Sequence, residues 1–292
     1  MPIAAIIVRW GLPKVMGVLA ALTLLAGCAP GDQPFANEAG TARFVSLNPC
    51  LDAILLEVAD ADQVLAISHY SHQPGGSSIG LEMASRFAST SGTAEEIIAL
   101  EPDIVLASVF LPLATKAALE RAGLRIESFA SPGTVDESAA QIDRMADLAG
   151  RPEAGSQLIR TMQKSLWASA LKAGRDESEN PTVLLWQAGQ IVAGQETLIS
   201  QILEQEGFDS HSAALGLKQA DYVSLEQVLA DPPDLLLIAG ESAGQQHPAL
   251  DHLKGMRVQF FDPNLFYCGG PSISKARAEL HALRRSFEDG PQ

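Results

Sequence analysis

Apolar and polar positions along this chain follow one scheme twice. Ala94-Glu-Glu-Ile-Ile-Ala-Leu-Glu-Pro-Asp-Ile-Val-Leu-Ala107 aligns without a gap with Leu225-Glu-Gln-Val-Leu-Ala-Asp-Pro-Pro-Asp-Leu-Leu-Leu-Ile238, and Glu95 meets Glu226 at an offset of 131 residues. Ile97 then meets Val228, Pro102 meets Pro233, and Asp103 meets Asp234. Each copy predicts a short helix with a Glu in its first turn, where the helix dipole favours an anion. The Pro ends that helix, because the residue before a proline is pushed out of the α region. Four unbroken apolar residues follow, the pattern of a strand buried on both faces. Solenoid repeats run over roughly 20–50 residues, so a repeat of this length predicts two similar α/β lobes.

The remaining pattern fits that scheme. Arg43–Leu47, Gln63–Ser68 and Leu124–Phe129 read as strands, with helices over Leu51–Ala59 and Ala114–Ala122. The alternation β-α-β-α-β predicts a parallel sheet with helices on both faces. Thr134-Val-Asp-Glu137 is a capping box opening one helix. A second helix runs from Glu153 to about Ala173, with Leu158, Met162, Leu166 and Ala170 on one face. At 1.5 Å per residue its length of roughly 30 Å suits a strut between lobes. Thr182–Trp186 opens the second lobe as a strand. A turn-rich loop over Ala188–Gly194, a helix over Thr197–Glu206, a strand over Arg257–Phe261 and a terminal helix over Ser272–Phe287 complete it.

The first residues stand apart from the fold. Val15–Gly27 is uncharged and mostly apolar, and it ends in Leu25-Ala26-Gly27-Cys28. It is shorter than the ~20 residues of a spanning helix, as a signal-peptide core is. The tetrapeptide looks like a bacterial lipobox, with Cys28 lipidated and cleavage before it. An ordinary signal peptide with a coincident Cys is the other reading. The expected organisation is a lipoprotein signal peptide over 1–27, a flexible tether over 28–42, an N-terminal lobe over 43–132, a helical strut over 133–179 and a C-terminal lobe over 180–292. Ala29 leaves open whether the inner or the outer membrane holds the anchor.

Charge narrows the partners. The chain carries a net charge of −15. Loss of residues 1–27 takes away Arg9 and Lys14, the only charges there, and makes it −17. Such acidity argues against nucleic acid and anionic lipid surfaces as partners. The expected membrane contact is the lipid anchor alone.

Taken in order, these pieces resemble a known family. Phe44-Val-Ser-Leu-Asn48, Glu95–Leu106, Ala193-Gly-Gln-Glu-Thr-Leu198 with Gly207-Phe208, and Val223-Ser-Leu-Glu-Gln-Val-Leu229 are similar to substrate-binding proteins of the iron-siderophore/vitamin B12 type. The resemblance spans residues 43 to about 285. It implies two Rossmann-like α/β lobes with parallel sheets, joined by a long helix around a cleft. It further implies a periplasmic, lipid-anchored monomer that captures a bulky corrinoid or ferric siderophore and hands it to an ABC permease. In the vitamin B12 member one Glu on each lobe meets permease arginines, and by motif those positions are Glu95 and Glu226. Exposed carboxylates can make charge-assisted bidentate contacts with Arg.

Open parallel sheets bind ligands at the carboxyl ends of their strands. Four loops are expected there, carrying Asn48 and Cys50; His69, Tyr70 and His72; Trp186 and Gln187; and Tyr267, Cys268 and Gly269. Aromatic residues are only 5% of the chain, so their clustering at these ends suggests walls for a large flat ligand. Cys50 and Cys268 remain as a pair once Cys28 is lipidated. A disulfide, two free thiols, or thiols acting with His69 and His72 on a metal are all open. A free metal ion is therefore an alternative cargo, although no metal or cofactor is expected as a resident part. An envelope lipoprotein without transport function, or an enzyme, is the further alternative. Gly76-Ser-Ser-Ile-Gly80 spells G-x-S-x-G, but a flexible loop rather than a strand precedes Ser78, so it is not read as a nucleophile. No enzyme activity is expected.

Overall fold

The computed structural model describes residues 42–170 and 180–288. The expected leader, Cys28 and nearly all of the tether lie outside them, as does the charged segment after the strut. In chain order the first half contains β1 (Phe44–Ser46), α1 (Pro49–Val58), β2 (Val64–Ser68), α2 (Leu81–Ala84), β3 (Ser89–Thr90), α3 (Ala94–Ala99), β4 (Ile104–Ser108), α4 (Leu113–Arg121) and β5 (Arg125–Phe129). Two helices follow, α5 (Val135–Leu148) and α6 (Pro152–Ala170). The second half contains β6 (Thr182–Gln187), β7 (Ile191–Val192), α7 (Leu198–Gln205), β8 (Asp209–Ser210), α8 (His211–Ala214), β9 (Asp221–Tyr222), α9 (Leu225–Ala230), β10 (Leu235–Ala239), β11 (Arg257–Phe260) and α10 (Pro271–Glu288).

The first sheet is parallel throughout, in the order β3-β2-β1-β4-β5. The second has the order β11-β10-β6-β7-β9, with β8 also beside β6. Its β10, β11 and β8 run parallel to their neighbours, but β7 is antiparallel to β6 and to β9. The sequence pattern placed only a loop at β7. There the chain doubles back through Gly189 and Gln190, both at positive φ (73° and 63°), and Val192 pairs with Trp186. A polar residue in that left-handed conformation leaves little periodic signal.

The repeat is a structural one. Thr93 caps α3 by accepting the Glu96 amide, and Ser224 caps α9 by accepting the Gln227 amide. Ile97 and Val228 are both buried and fix their helices to the outer faces of the two sheets. The Asp after each proline has the same task. Asp103 accepts the Arg43 amide at 2.8 Å, and Asp234 accepts the Thr182 amide at 2.8 Å and its hydroxyl at 2.8 Å. Each carboxylate therefore sets the register at which the first strand of its sheet meets the repeat strand beside it.

Strand alternation divides the apolar side chains between layers. Phe44, Leu185, Leu235 and Leu237 face a single continuous core, which also takes Ile54 from α1, Ile142 and Met145 from α5, Met162 from α6, and Ile273 and Leu280 from α10. Val45 and Val105 face an outer cluster on the first sheet, and Leu184, Trp186 and Leu236 face one on the second. A buried ion pair ties α10 to the end of α7, with Arg277 Nη2 2.7 Å from Glu206 Oε1.

Replacing Asp234 with alanine is expected to lower the stability to urea by about 1–2 kcal/mol, since it removes two hydrogen bonds to a charged acceptor. Asp103→Ala is expected to cost about 1 kcal/mol. The two losses should add in the double variant, because the residues share no partner.

Candidate functional site

The first sheet ends on a small hollow that is open to solvent. Its lining comes from the carboxyl ends of three strands and from a distant loop: Asn48, Cys50, Ser108, Phe129, Ser131 and Tyr267 are among the residues that face it. Asn48 caps α1, its Oδ1 accepting the Cys50 amide at 2.9 Å and the Leu51 amide at 3.3 Å. Pro49 follows at the first helical position, where its fixed φ suits the helix and no amide is lost. This turn sets Cys50 toward the hollow, while the side chain of Asn48 is largely engaged by the cap.

Cys50 and Cys268 form a disulfide, with their Cα atoms 5.1 Å apart. It joins α1 of the first lobe to the segment after β11 of the second. Gly269 and Gly270 let that segment press against the first lobe. A Cβ on Gly269 would stand 2.5 Å from the Ser138 hydroxyl of α5, and one on Gly270 would stand 2.7 Å from Ile54 of α1. The Gly270 amide donates to Ser138 Oγ at 2.7 Å. Phe266 anchors one side of the segment in the core, and Tyr267, in ring contact with it at 4.2 Å, stays 58% exposed at the hollow. Partial burial pushes the Tyr267 phenol above its ordinary value, which keeps the hydroxyl protonated.

The other expected residues are distributed differently. His69 and Tyr70 begin a 3₁₀ turn at the end of β2 with their rings 4.0 Å apart, and Tyr70 is half exposed. His69 Nδ1 lies 3.3 Å from the Thr90 carbonyl. His72 has a buried Nε2 without a hydrogen-bond partner. None of the three lines the hollow. Thiol ligation with His69 and His72 is closed off by the disulfide, and among the described residues no His/Cys/Asp/Glu group is arranged to hold a metal.

Trp186 is corrected outright. It is fully buried, packs in the outer cluster of the second sheet, and donates Nε1 to the Val223 carbonyl at 2.9 Å. The physical reason is strand parity: Trp186 shares its face with Leu184, and that face lies under α9. Gln187, one residue on, is half exposed at the carboxyl end of β6 and does not line the hollow. The sequence reading also passed over Phe110 and Leu113. Phe110 lies two residues beyond the lining residue Ser108 and Leu113 opens α4; they are 79% and 83% exposed, and neither lines the hollow itself. Large apolar side chains left this open at a strand's carboxyl end were a signal available in Val109-Phe-Leu111, had the run been set against the polar loops elsewhere.

Glu95 and Glu226 each take the second position of their helix and are exposed. Because α3 and α9 lead into β4 and β10, both helices begin on the side where the strands end. Glu226 is held below the usual carboxylate range by hydrogen bonding to its own amide and to Ser224, with the neighbouring His247 adding to it.

A buried carboxylate underlies the site. Asp52 in α1 accepts the Ser68 amide at 3.0 Å and the Ser71 hydroxyl at 2.6 Å, which fastens the His69–His72 turn to α1. Burial pushes its acid from 3.8 up to about 7, and the hydrogen bonds from Ser71 and Ser68 offset only part of that. Between pH 4 and 7 the folded protein thus keeps a proton that the unfolded chain has released. Stability contributed by this group is complete below pH 4 and declines as the pH rises to about 7, by on the order of 4 kcal/mol. Asp52→Asn is expected to flatten the decline, since the amide oxygen keeps both donors. Urea midpoints of both proteins from pH 5 to pH 8 check this.

With this geometry in view, comparison with known proteins is informative. The model of the family described as periplasmic binding protein matches residues 44–258. A cobalamin-binding protein of Halobacterium salinarum is 24% identical over 203 residues, covering 69% of this chain and 54% of that protein, so the chain spans about half the length of that relative. A vitamin B12-binding protein of Yersinia pestis is 24% identical over 203 residues, covering 68% of this chain and 69% of its own. Among solved structures, a periplasmic heme-binding protein from Pseudomonas aeruginosa superposes with a TM-score of 0.67 at 22% identity, over 83% of this chain and 92% of that one. The chain belongs to the periplasmic binding protein family, as a substrate-binding protein of the iron/vitamin B12 type.

Proposed function

We propose that this chain is the lipid-anchored periplasmic component of an ABC importer and that its cargo is a bulky metal chelate, a corrinoid first and a ferric siderophore second. The observation that carries this reading is the hollow at the carboxyl ends of β1, β4 and β5, faced by the exposed Tyr267, with the exposed Phe110 two residues beyond its lining residue Ser108. A cargo with large apolar or aromatic faces removes that surface from water at about 25 cal/mol per Å². Cargo occupies the space between the lobes, and closure follows only where the closed form binds it more tightly. The relatives that bind cobalamin support the corrinoid. A free metal ion is the weaker reading, because both thiols that could have ligated it are joined to each other.

Delivery uses Glu95 and Glu226, one per lobe, on the side where the strands end. Cys28 holds the protein to the membrane, so that cargo is released close to the permease.

Calorimetric titration of the purified protein with cobalamin, haem and a panel of ferric siderophores tests the cargo. Saturable binding of cobalamin with a Kd in the micromolar range or tighter is expected, and Phe110→Ala should weaken it by about fivefold to tenfold. Binding of none of these chelates would overturn the reading. Docking is tested separately with the ABC permease in vesicles. Glu95→Ala/Glu226→Ala is expected to leave the cargo Kd unchanged and to abolish stimulation of ATP hydrolysis. Wild-type stimulation by the double variant would remove both residues from the interface.

A further inference from the structure

The disulfide stands at the hollow rather than apart from it. Cys50, Tyr267 and Gly269 all face that space, whereas Cys268 is buried at 6% exposure. A reductant in solution therefore reaches the sulfur of half-buried Cys50 first, by way of the hollow. On either side of the bond the chain is anchored without it. Phe266 sits in the core, the Gly270 amide is bonded to Ser138, and Ser272 and Ile273 are fully buried. Between these anchors, only the disulfide fixes Tyr267–Gly269 to α1 covalently.

We propose that Cys50–Cys268 is a redox-operated part of the cargo site: oxidised, it holds Tyr267 against the hollow, and reduced, it releases Tyr267–Gly269 and weakens the grip on cargo. The reductant is a dithiol. One of its thiolates attacks Cys50 Sγ, forms a mixed disulfide there, and expels Cys268 as a thiolate that takes up a proton. The second thiol of the reductant then attacks its own sulfur in the mixed disulfide and frees Cys50 as a thiol. The protein gains two electrons and two protons, and the reductant leaves as a cyclic disulfide. Because the attack passes through the hollow, bound cargo shields the bond, and the empty protein is the form that is reduced.

The effect on cargo rests on the function proposed above, and the release of the segment does not. Hydrogen exchange is measured by mass spectrometry on the oxidised protein, on the same protein reduced with dithiothreitol, and on Cys50→Ser/Cys268→Ser. Amides of 267–269 should exchange at least tenfold faster in the reduced protein and in the variant, with β4 and β10 unchanged. Exchange at 267–269 within twofold of the oxidised protein would overturn the proposal. If the variant does not fold, the reduced protein decides alone. Cobalamin affinity in the two redox states is the second arm, and a Kd at least fivefold weaker after reduction is expected. An unchanged Kd beside a released segment would also overturn the switch. Failure of cobalamin to bind in either state would count against the cargo alone, and exchange would still decide the release.

Discussion

The structure depends on one apolar core that both sheets share. Phe44 of the first sheet and Leu185 and Leu237 of the second belong to the same cluster, joined through α1, α5, α6 and α10. The lobes are therefore two sheets on one helical layer, and neither has a core that closes on itself. Opening them far apart would expose buried side chains of the kind whose loss costs 2–5 kcal/mol each on truncation to alanine. Motion that leaves this layer intact is confined to small rotations about it. That suits a binding protein whose site is largely formed before cargo arrives, since less free energy is then lost in ordering it.

Much of this architecture was legible beforehand, for a physical reason. A helix, a proline, an aspartate and a continuous apolar strand form a local device, and both copies of it carry the same caps and the same carboxylate clamp. Cys50 and Cys268 could be paired by counting, although free thiols and metal ligation stayed open until the loop after β11 was seen against α1. Trp186 shows the limit. A continuous apolar run announces burial on both faces without saying which residue faces which layer, and the parity of β6 puts the indole under α9. The return of the chain through β7 was equally hidden, because it hangs on a left-handed Gln190. Phe110 and Leu113 belong to no periodic pattern, and only their exposure at a strand end marks them.

Polar groups inside the fold reinforce the same joint. Glu206 and Arg277 pair between α7 and α10, with His281 Nδ1 at 3.5 Å from the same carboxylate. Removing one partner of such a pair is far more costly than never having had it, because the other charge is left buried. Asp52 secures the opposite side by fastening the turn after β2 to α1. The helical layer is thus held by apolar contact along its length and by specific polar contacts at its ends, which fixes where each loop meets the hollow.

The separation of the two disulfide partners has a consequence for biogenesis. Cys50 precedes Cys268 by 218 residues. At 5–20 residues per second, roughly 10–45 s of synthesis part the two thiols. No other cysteine lies between them, and Cys28 is the only other one in the chain. Cys50 must therefore wait, unpaired, until nearly the whole chain has emerged, and its bond marks a molecule whose far end has arrived.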